Sequence, residues 1–326
     1  MIKEILKSQT LVMDGALGTE LEDMVPKDSK FQPRYHSLWS GTVLLNQPDL
    51  VYEVHRKYLE EGCDIILTSS YQLSFQGLED QLGASLEKAQ EIWDKSVAVA
   101  DKAIRDYSIS HHRNIYLFGS IGPYGAYLHN GAEYTGQYGD ISQEELVEHH
   151  KDLVSYFIKD DRVDAIAFET IPNLTELKAV IQIMTQELRN NSCKEFYLSF
   201  NFQDLDHLSD GHQMKELLEY LNDDNVIKPL GDFFIGIGIN CVSHDKICGI
   251  IDTINVYNTN KFALIVYPNL GFEFGKVTDS YHSFRNIDVW SQSVKKWLSK
   301  PNVRIIGGCC STGPEEIRVL TRFVHS

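Results

Sequence analysis

Six cysteines occur in this chain of 326 residues, and two of them, Cys309 and Cys310, stand side by side behind Gly307-Gly308. A third, Cys241, directly follows the apolar run Phe233–Asn240. Thiolates gathered from such distant positions are ligands for a soft or borderline cation. Three of them suit Zn²⁺, with Zn–S near ~2.3 Å and a fourth tetrahedral position left open, as a catalytic ion requires. Calcium and magnesium prefer oxygen. The spacing alone equally fits Cys309 and Cys310 packing as small apolar residues, because a vicinal pair is a rarer ligand pattern than Cys-x-x-Cys. Two carboxylates weigh on that choice. Asp14 precedes Gly15, with Gly18 close behind, so the backbone there is able to approach a ligand. Glu169 ends the run Asp164–Phe168 and opens Thr170-Ile-Pro-Asn173. Either acid alone is as well explained by a helix cap or an ion pair. Beside a thiolate-rich metal site, two acids and exposed loop amides match the ammonium and carboxylate of an amino acid.

These residues act together only if the chain's elements bring them together. Short apolar runs with little alternation occur at Thr10–Asp14, Asp64–Ser69, Ile115–Ile121, Asp164–Glu169, Phe196–Phe202, Phe233–Asn240, Phe262–Tyr267 and Val303–Gly307. Such runs suit strands buried on both faces. Between them lie helical patterns at Asp49–Gly62, Leu86–Asp106, Glu144–Lys159 behind the capping box Ser142-Gln-Glu-Glu145, and Leu174–Arg189 behind Asn173. Pro314 sits where a further helix begins. Alternation predicts a parallel α/β sheet, and the count of eight favours a closed (β/α)₈ TIM barrel over a doubly wound open sheet, in one domain spanning 1–326. The segments after the first and third strands, Gly15–Gln47 and Gly122–Ile141, are too long for plain turns. Long βα loops at one end of a barrel are where its active site is built. Cys241 and the Cys309-Cys310 pair fall at the C-terminal ends of strands six and eight, two apart around the ring, so they reach one mouth. Cys63, Cys193 and Cys248 lack that placement.

Acidic residues outnumber basic ones by 46 to 30, a net charge of −16 that argues against nucleic-acid or membrane-surface binding, since both need clustered Lys and Arg. No run approaches the ~20 apolar residues of a membrane span. The start, Met-Ile-Lys-Glu-Ile-Leu-Lys, has no signal-peptide core, so a cytoplasmic protein with reduced thiols is expected. Gly236-Ile-Gly lacks the third glycine of a dinucleotide fingerprint. His111-His112 and His149-His150 lack i,i+4 ligand spacing and read as solvated surface.

Taken in order, the motifs resemble the zinc-dependent homocysteine S-methyltransferases. Asp14-Gly-Ala-Leu-Gly-Thr-Glu-Leu21 is similar to that family's opening. Gly119-Ser-Ile-Gly-Pro-Tyr-Gly-Ala-Tyr-Leu128 and Glu133-Tyr-Thr-Gly-Gln-Tyr-Gly139 resemble the loop after its third strand. Glu169-Thr-Ile-Pro-Asn173, Gly238-Ile-Asn-Cys241, Tyr267-Pro-Asn-Leu-Gly271 and Gly307-Gly-Cys-Cys310 complete the series, from Met13 to Ile317. The long third loop points to the short, single-domain branch that uses S-methylmethionine or S-adenosylmethionine. The chain departs from the pattern at Ser311, where the family has Arg, and at Ser69, Ser70 and Leu73. These departures spare the metal ligands.

The resemblance implies one Zn²⁺ per chain on Cys241, Cys309 and Cys310, with homocysteine's sulfur as fourth ligand and no further catalytic side chain. A free thiol of pKa near ~8.5 is only about 3% ionised at pH 7, so it needs that activation. Asp14 and Glu169 would hold the acceptor's ammonium and the amides of Gly15 and Ala16 its carboxylate, with Thr68 and Asn240 lining the same site. The donor carries its methyl on a positively charged sulfur. Tyr71, Gln72, Tyr124, Tyr127 and Tyr134 on the mouth loops are assigned to it, aromatic faces attracting a cation by ~0.5–2 kcal/mol. The product is methionine. Two rivals stand beside this reading: the same zinc site with a selenol such as selenocysteine or another thiol as acceptor, and a non-catalytic zinc- or redox-sensing barrel in which Cys309 and Cys310 cycle between thiol and disulfide. The partners expected are small molecules, and nothing in the sequence sets an oligomeric state.

Overall fold

Strands form where the apolar runs stand: β1 (Leu11–Val12), β2 (Ile65–Leu67), β3 (Tyr116–Ile121), β4 (Ala165–Ile171), β5 (Glu195–Phe200), β6 (Phe234–Ser243), β7 (Ala263–Asn269) and β8 (Val303–Ile306). They belong to a computed structural model that describes residues 1–190, 194–270 and 286–325; Cys193 and Gly271 lie outside the described residues. All neighbours are parallel, in the order β1-β8-β7-β6-β5-β4-β3-β2. Between β1 and β2 the ring is drawn together by a parallel bridge, Met13 to Ile65, and by the Asp14 N–H donating to the Ile65 carbonyl at 3.0 Å. The architecture is the expected (β/α)₈ barrel.

Strand alternation divides the apolar residues into two cores. Leu11, Met13, Phe118, Ala165, Ala167, Tyr197, Ile265, Tyr267 and Ile305 fill the barrel interior. Val12, Ile166, Phe168, Leu198, Val266 and Ile306 face the surrounding helices. A short helix, Ile2–Ile5, plugs the bottom: Ile2 and Leu6 join the inner core, and the N–H groups of Ile2 and Lys3 donate to Glu195 at 2.6 and 2.8 Å. The same parity governs the top. Counting on by twos from Ala165 and Ala167 reaches Glu169, and from Phe118 reaches Ser120, so the inner column ends in polar side chains.

Helices follow from local chemistry. Leu174–Arg189 begins where the Asn173 side chain accepts from the Glu176 N–H at 2.9 Å, and Gln143–Lys159 opens with the Ser142/Glu145 capping box. Pro314 stands at the first turn of Pro314–Val324. The long segments after β1 and β3 fold into short helices, Leu17–Met24 and Ser40–Asn46 in one, Tyr124–Leu128 and Ala132–Thr135 in the other. Among the described residues, no helix is long and apolar enough to cross a membrane.

One expectation is overturned. His149 and His150 are not on the surface; each is buried. They share the inward stripe of Gln143–Lys159 with Leu146, Leu153, Val154 and Phe157, the i, i+3, i+4 and i+7 spacing of a packed face. His150 Nε2 lies 2.8 Å from Glu176, and His149 Nδ1 lies 2.7 Å from Gln76 Oε1.

Candidate active site

The three cysteines are placed by backbone, not by chance of side-chain length. Cys241 takes a φ of +53°, a conformation that L side chains rarely adopt, and its carbonyl accepts from Asn201 Nδ2 at 2.9 Å. The β6–β7 register shifts across it, between Asn240 and Ser243. After β8 the chain is stitched to its neighbours. The Gly308 N–H donates to the Asp14 carbonyl at 3.1 Å, the Cys309 N–H to the Pro268 carbonyl at 2.9 Å, and the Leu270 N–H to the Cys310 carbonyl at 3.1 Å. Glycine is required at 308, since a Cβ there would lie 2.1 Å from the Thr312 hydroxyl. The outcome is three sulfurs within 4.8 Å of one another, those of Cys241 and Cys309 being 2.6 Å apart. Among the described residues this is the one such grouping of Cys, His, Asp or Glu.

Buried thiols this close do not ionise together. Hydrogen bonds to Cys309 and Cys310, with burial added, push the Cys241 thiol well up. The hydrogen bonds from Cys241 and then Cys309 pull Cys310 well below the thiol range. The surroundings thus oppose ionisation at Cys241 and favour it at Cys310, and a cation among the sulfurs would favour the thiolate form of all three. A set of three sulfurs fits zinc.

Beside the thiols are two buried acids. Glu169 accepts from the Ser120 hydroxyl. Burial pushes its carboxyl up to about 8, the Ser120 bond opposing and Cys309 adding to the rise. Burial likewise raises Asp14 well above the carboxylate range, with the Leu67 N–H at 3.0 Å opposing and Glu169 adding. Two desolvated carboxyls lining one cavity form a receptor for a cation, whose arrival would ionise them.

These groups line one cavity of about 280 Å³. The structure brings to it Asp14, Gly15, Ala16, Thr68, Tyr71, Gln72, Tyr134, Glu169 and Asn240 together with the three cysteines. It does not bring Tyr124 and Tyr127. Their rings pack on His149, at 5.0 and 5.5 Å between centroids, and the Tyr127 hydroxyl donates to Asp80 at 2.8 Å. The donor assignment of these two tyrosines is therefore corrected to a role in the loop's packing, because the helix Tyr124–Leu128 turns them toward Gln143–Lys159. A second correction concerns Ala16. Its N–H donates to the Thr312 carbonyl at 3.0 Å and is not free for a carboxylate. The helix Leu17–Met24 instead begins at the cavity edge with no side-chain cap, leaving first-turn N–H groups to take an anion. Thr68 and Asn240 line the cavity but spend hydrogen bonds inward: Thr68 Oγ1 accepts the Ser120 N–H at 2.9 Å, and Asn240 holds Thr170.

Sequence reasoning missed several lining residues. Ser120 was reachable by strand parity. Trp39, whose Nε1 donates to Glu22 at 3.3 Å, and Arg34, whose Nε pairs with Glu22 at 3.2 Å, come from the middle of the first long loop and left no periodic signal. Glu133 also lines the cavity.

Comparison with known proteins gives the family and the fold. The model of the family described as homocysteine S-methyltransferase matches residues 11–324. The chain is 34% identical to homocysteine S-methyltransferase YbgG of Bacillus subtilis, over 100% of this chain and 98% of that protein. It is 32% identical to a selenocysteine Se-methyltransferase of Brassica oleracea, over 100% of this chain and 92% of that protein. Its fold superposes on the metallated form of the Escherichia coli homocysteine methyltransferase MmuM with a TM-score of 0.81 and 29% identity, covering 99% of each chain.

Proposed function

The chain belongs to the homocysteine S-methyltransferase family and is an S-methyltransferase, and from that premise we propose that it moves a methyl group from a sulfonium, S-methylmethionine or S-adenosylmethionine, to homocysteine at a Zn²⁺ held by Cys241, Cys309 and Cys310. The observation that carries this reading is the convergence of three thiols beside two buried carboxyls, each raised chiefly by desolvation. Bound Zn²⁺ would supply a lowered thiol pKa and a fixed position for the acceptor's sulfur.

The remaining work falls to the chain itself. Asp14 and Glu169 hold the acceptor's ammonium, and the uncapped start of Leu17–Met24 receives its carboxylate. With both ends of the amino acid fixed, the acceptor's sulfur is directed at the cysteines. Tyr71 and Tyr134 wall the space beside Cys241, where the donor's methyl must arrive in line. The acceptor's electron pair forms the new S–CH₃ bond while the donor's C–S pair returns to its own sulfur. A negative and a positive charge cancel, giving methionine and a neutral thioether.

The test is zinc content per chain together with methionine formation from homocysteine, the two sulfoniums supplied side by side. Zinc-loaded protein that makes no methionine with either donor would sink the proposal. The likeness to a selenocysteine Se-methyltransferase favours a second acceptor reading, which competition between homocysteine and selenocysteine resolves.

A further inference from the structure

Beyond Asp14 and Glu169, the cavity is lined by Glu22, which is paired with Arg34, and by Glu133, which neither the thiols nor the acceptor's ammonium calls for. Glu133 stands on the short helix Ala132–Thr135 and lines the space near the cysteines. Its Oε2 is buried and has no hydrogen-bond partner among the described residues. Gln72, which lines the same cavity from the loop after β2, has its Oε1 in the same condition. The Gln72 oxygen accepts, and the Glu133 oxygen accepts once ionised, so a cation or a hydrogen-bond donor completes them. Protein cations do not: the one Lys or Arg among the lining residues, Arg34, is paired with Glu22. Burial holds the Glu133 carboxyl up at about 7, the state of an acid waiting for a cation.

Its neighbours say where that cation would sit. The hydroxyls of Tyr71 and Tyr134 both feel the Glu133 charge, and both feel the Cys241 thiol. The two rings therefore adjoin the acid and the thiols alike. The acid itself is well anchored. A Cβ on Gly125 would fall 2.4 Å from the Glu133 nitrogen, so the two short helices of this loop are in backbone contact. The loop is tied down at both ends by Glu176, which accepts from the Tyr124 N–H at 2.6 Å and from the Tyr138 hydroxyl at 2.5 Å.

We propose that Glu133, with the faces of Tyr71 and Tyr134, is a specificity-determining subsite that selects a positively charged methyl donor, Gln72 taking an N–H of a donor that is itself an amino acid. The inference rests on the methyl-transfer reading above and names what chooses the donor there. The chemistry predicts how it acts. The donor is cationic when bound, loses its charge as the C–S bond breaks, and leaves as a neutral thioether. A carboxylate at Glu133 therefore favours the bound donor over the transition state, so removing it raises donor KM and does not lower kcat. Release of the uncharged product is eased for the same reason.

The experiment uses the full-length, zinc-loaded protein and its Glu133→Gln variant. Donor KM is measured at saturating homocysteine. Calorimetry compares binding of S-methylmethionine with that of its uncharged carbon isostere, 2-amino-5-methylhexanoate. Glu133→Gln is expected to raise donor KM at least tenfold, to move acceptor KM less than twofold, and to cut the preference for sulfonium over isostere about tenfold. Glu133→Asp keeps most of that preference. An unchanged donor KM and preference overturns the inference, and so does an equal loss of sulfonium and isostere, which would mark a structural residue. Should the parent make no methionine, the methyl-transfer reading fails, while the calorimetric preference still decides the cation subsite.

Discussion

Asn240 grips Thr170 by main chain and side chain at once: its Oδ1 accepts the Thr170 N–H at 3.0 Å, and its Nδ2 donates to the Thr170 hydroxyl at 2.7 Å. The Ser199 hydroxyl donates to the same Oδ1 at 2.7 Å. Thr170 has a φ of +60°, a strain that for a β-branched residue costs on the order of 1–3 kcal/mol. The β4–β5 register shifts here, between Phe168 and Ile171. The clamp thus holds the bent strand end that carries Glu169.

Replacing Asn240 with Ala orphans the Thr170 N–H and should cost ~1–3 kcal/mol of stability. Because Glu169 loses its support, acceptor KM should rise more than donor KM. Urea denaturation and initial-rate kinetics check both halves. A variant as stable as the parent, with both KM values unmoved, would leave the clamp without a role.

Cys310→Ser should abolish metal retention and methyl transfer while the barrel stays folded, since serine is close to cysteine in size and the change lies at the mouth beyond β8. Elemental analysis and far-ultraviolet circular dichroism read the two outcomes separately. Full turnover by a metal-free preparation would refute the thiol site.

Glu169→Gln keeps the shape of the side chain and removes its charge. The acceptor's ammonium then loses one of two carboxylates, and acceptor KM should rise tenfold or more with donor KM little changed. Steady-state kinetics with each substrate varied in turn measures the split.

Donor binding should depend on pH through Glu133. Its carboxyl, raised to about 7, is neutral below that pH and charged above it. Attraction for a sulfonium is therefore present above about 7 and lost as pH falls through it. Tyr71 and Tyr134 beside it are pushed well above the phenol range by burial and stay neutral in this window; Glu169 acts on Tyr71 and Cys241 on both tyrosines, and homocysteine is held saturating so that the acceptor subsite stays occupied. At saturating homocysteine, donor 1/KM should climb between pH 6 and 8 in the parent and be flat in Glu133→Gln. Matching profiles would contradict the assignment.

Glu176 is fully buried and accepts from Tyr124, Tyr138 and His150. Glu176→Ala orphans those donors, at ~1–3 kcal/mol each. A lowered melting temperature and faster proteolysis within residues 122–141 are expected. Glu176→Gln, which keeps an acceptor, should recover part of both.

The chain's own order of residues determined much of this protein. Eight apolar runs separated by helical stripes specify a parallel barrel, because a strand buried on both faces needs unbroken apolar character and a crossover needs a helix. Barrel topology then sends every strand's C-terminal end to one mouth, which is why Cys241, Cys309, Cys310, Asp14 and Glu169 were legible as a group before any coordinates. Tertiary structure decided what depends on direction and on partners. Whether Ala16's amide was free, whether Tyr124 faced the cavity, and whether His149 and His150 were wet turned on contacts between segments far apart in the chain. The left-handed backbone at Thr170 and Cys241, and the Glu133 oxygen that has no partner among the described residues, left no periodic trace either. Periodicity reports which face of an element is buried; it does not report which hydrogen bonds are left over once the elements have packed.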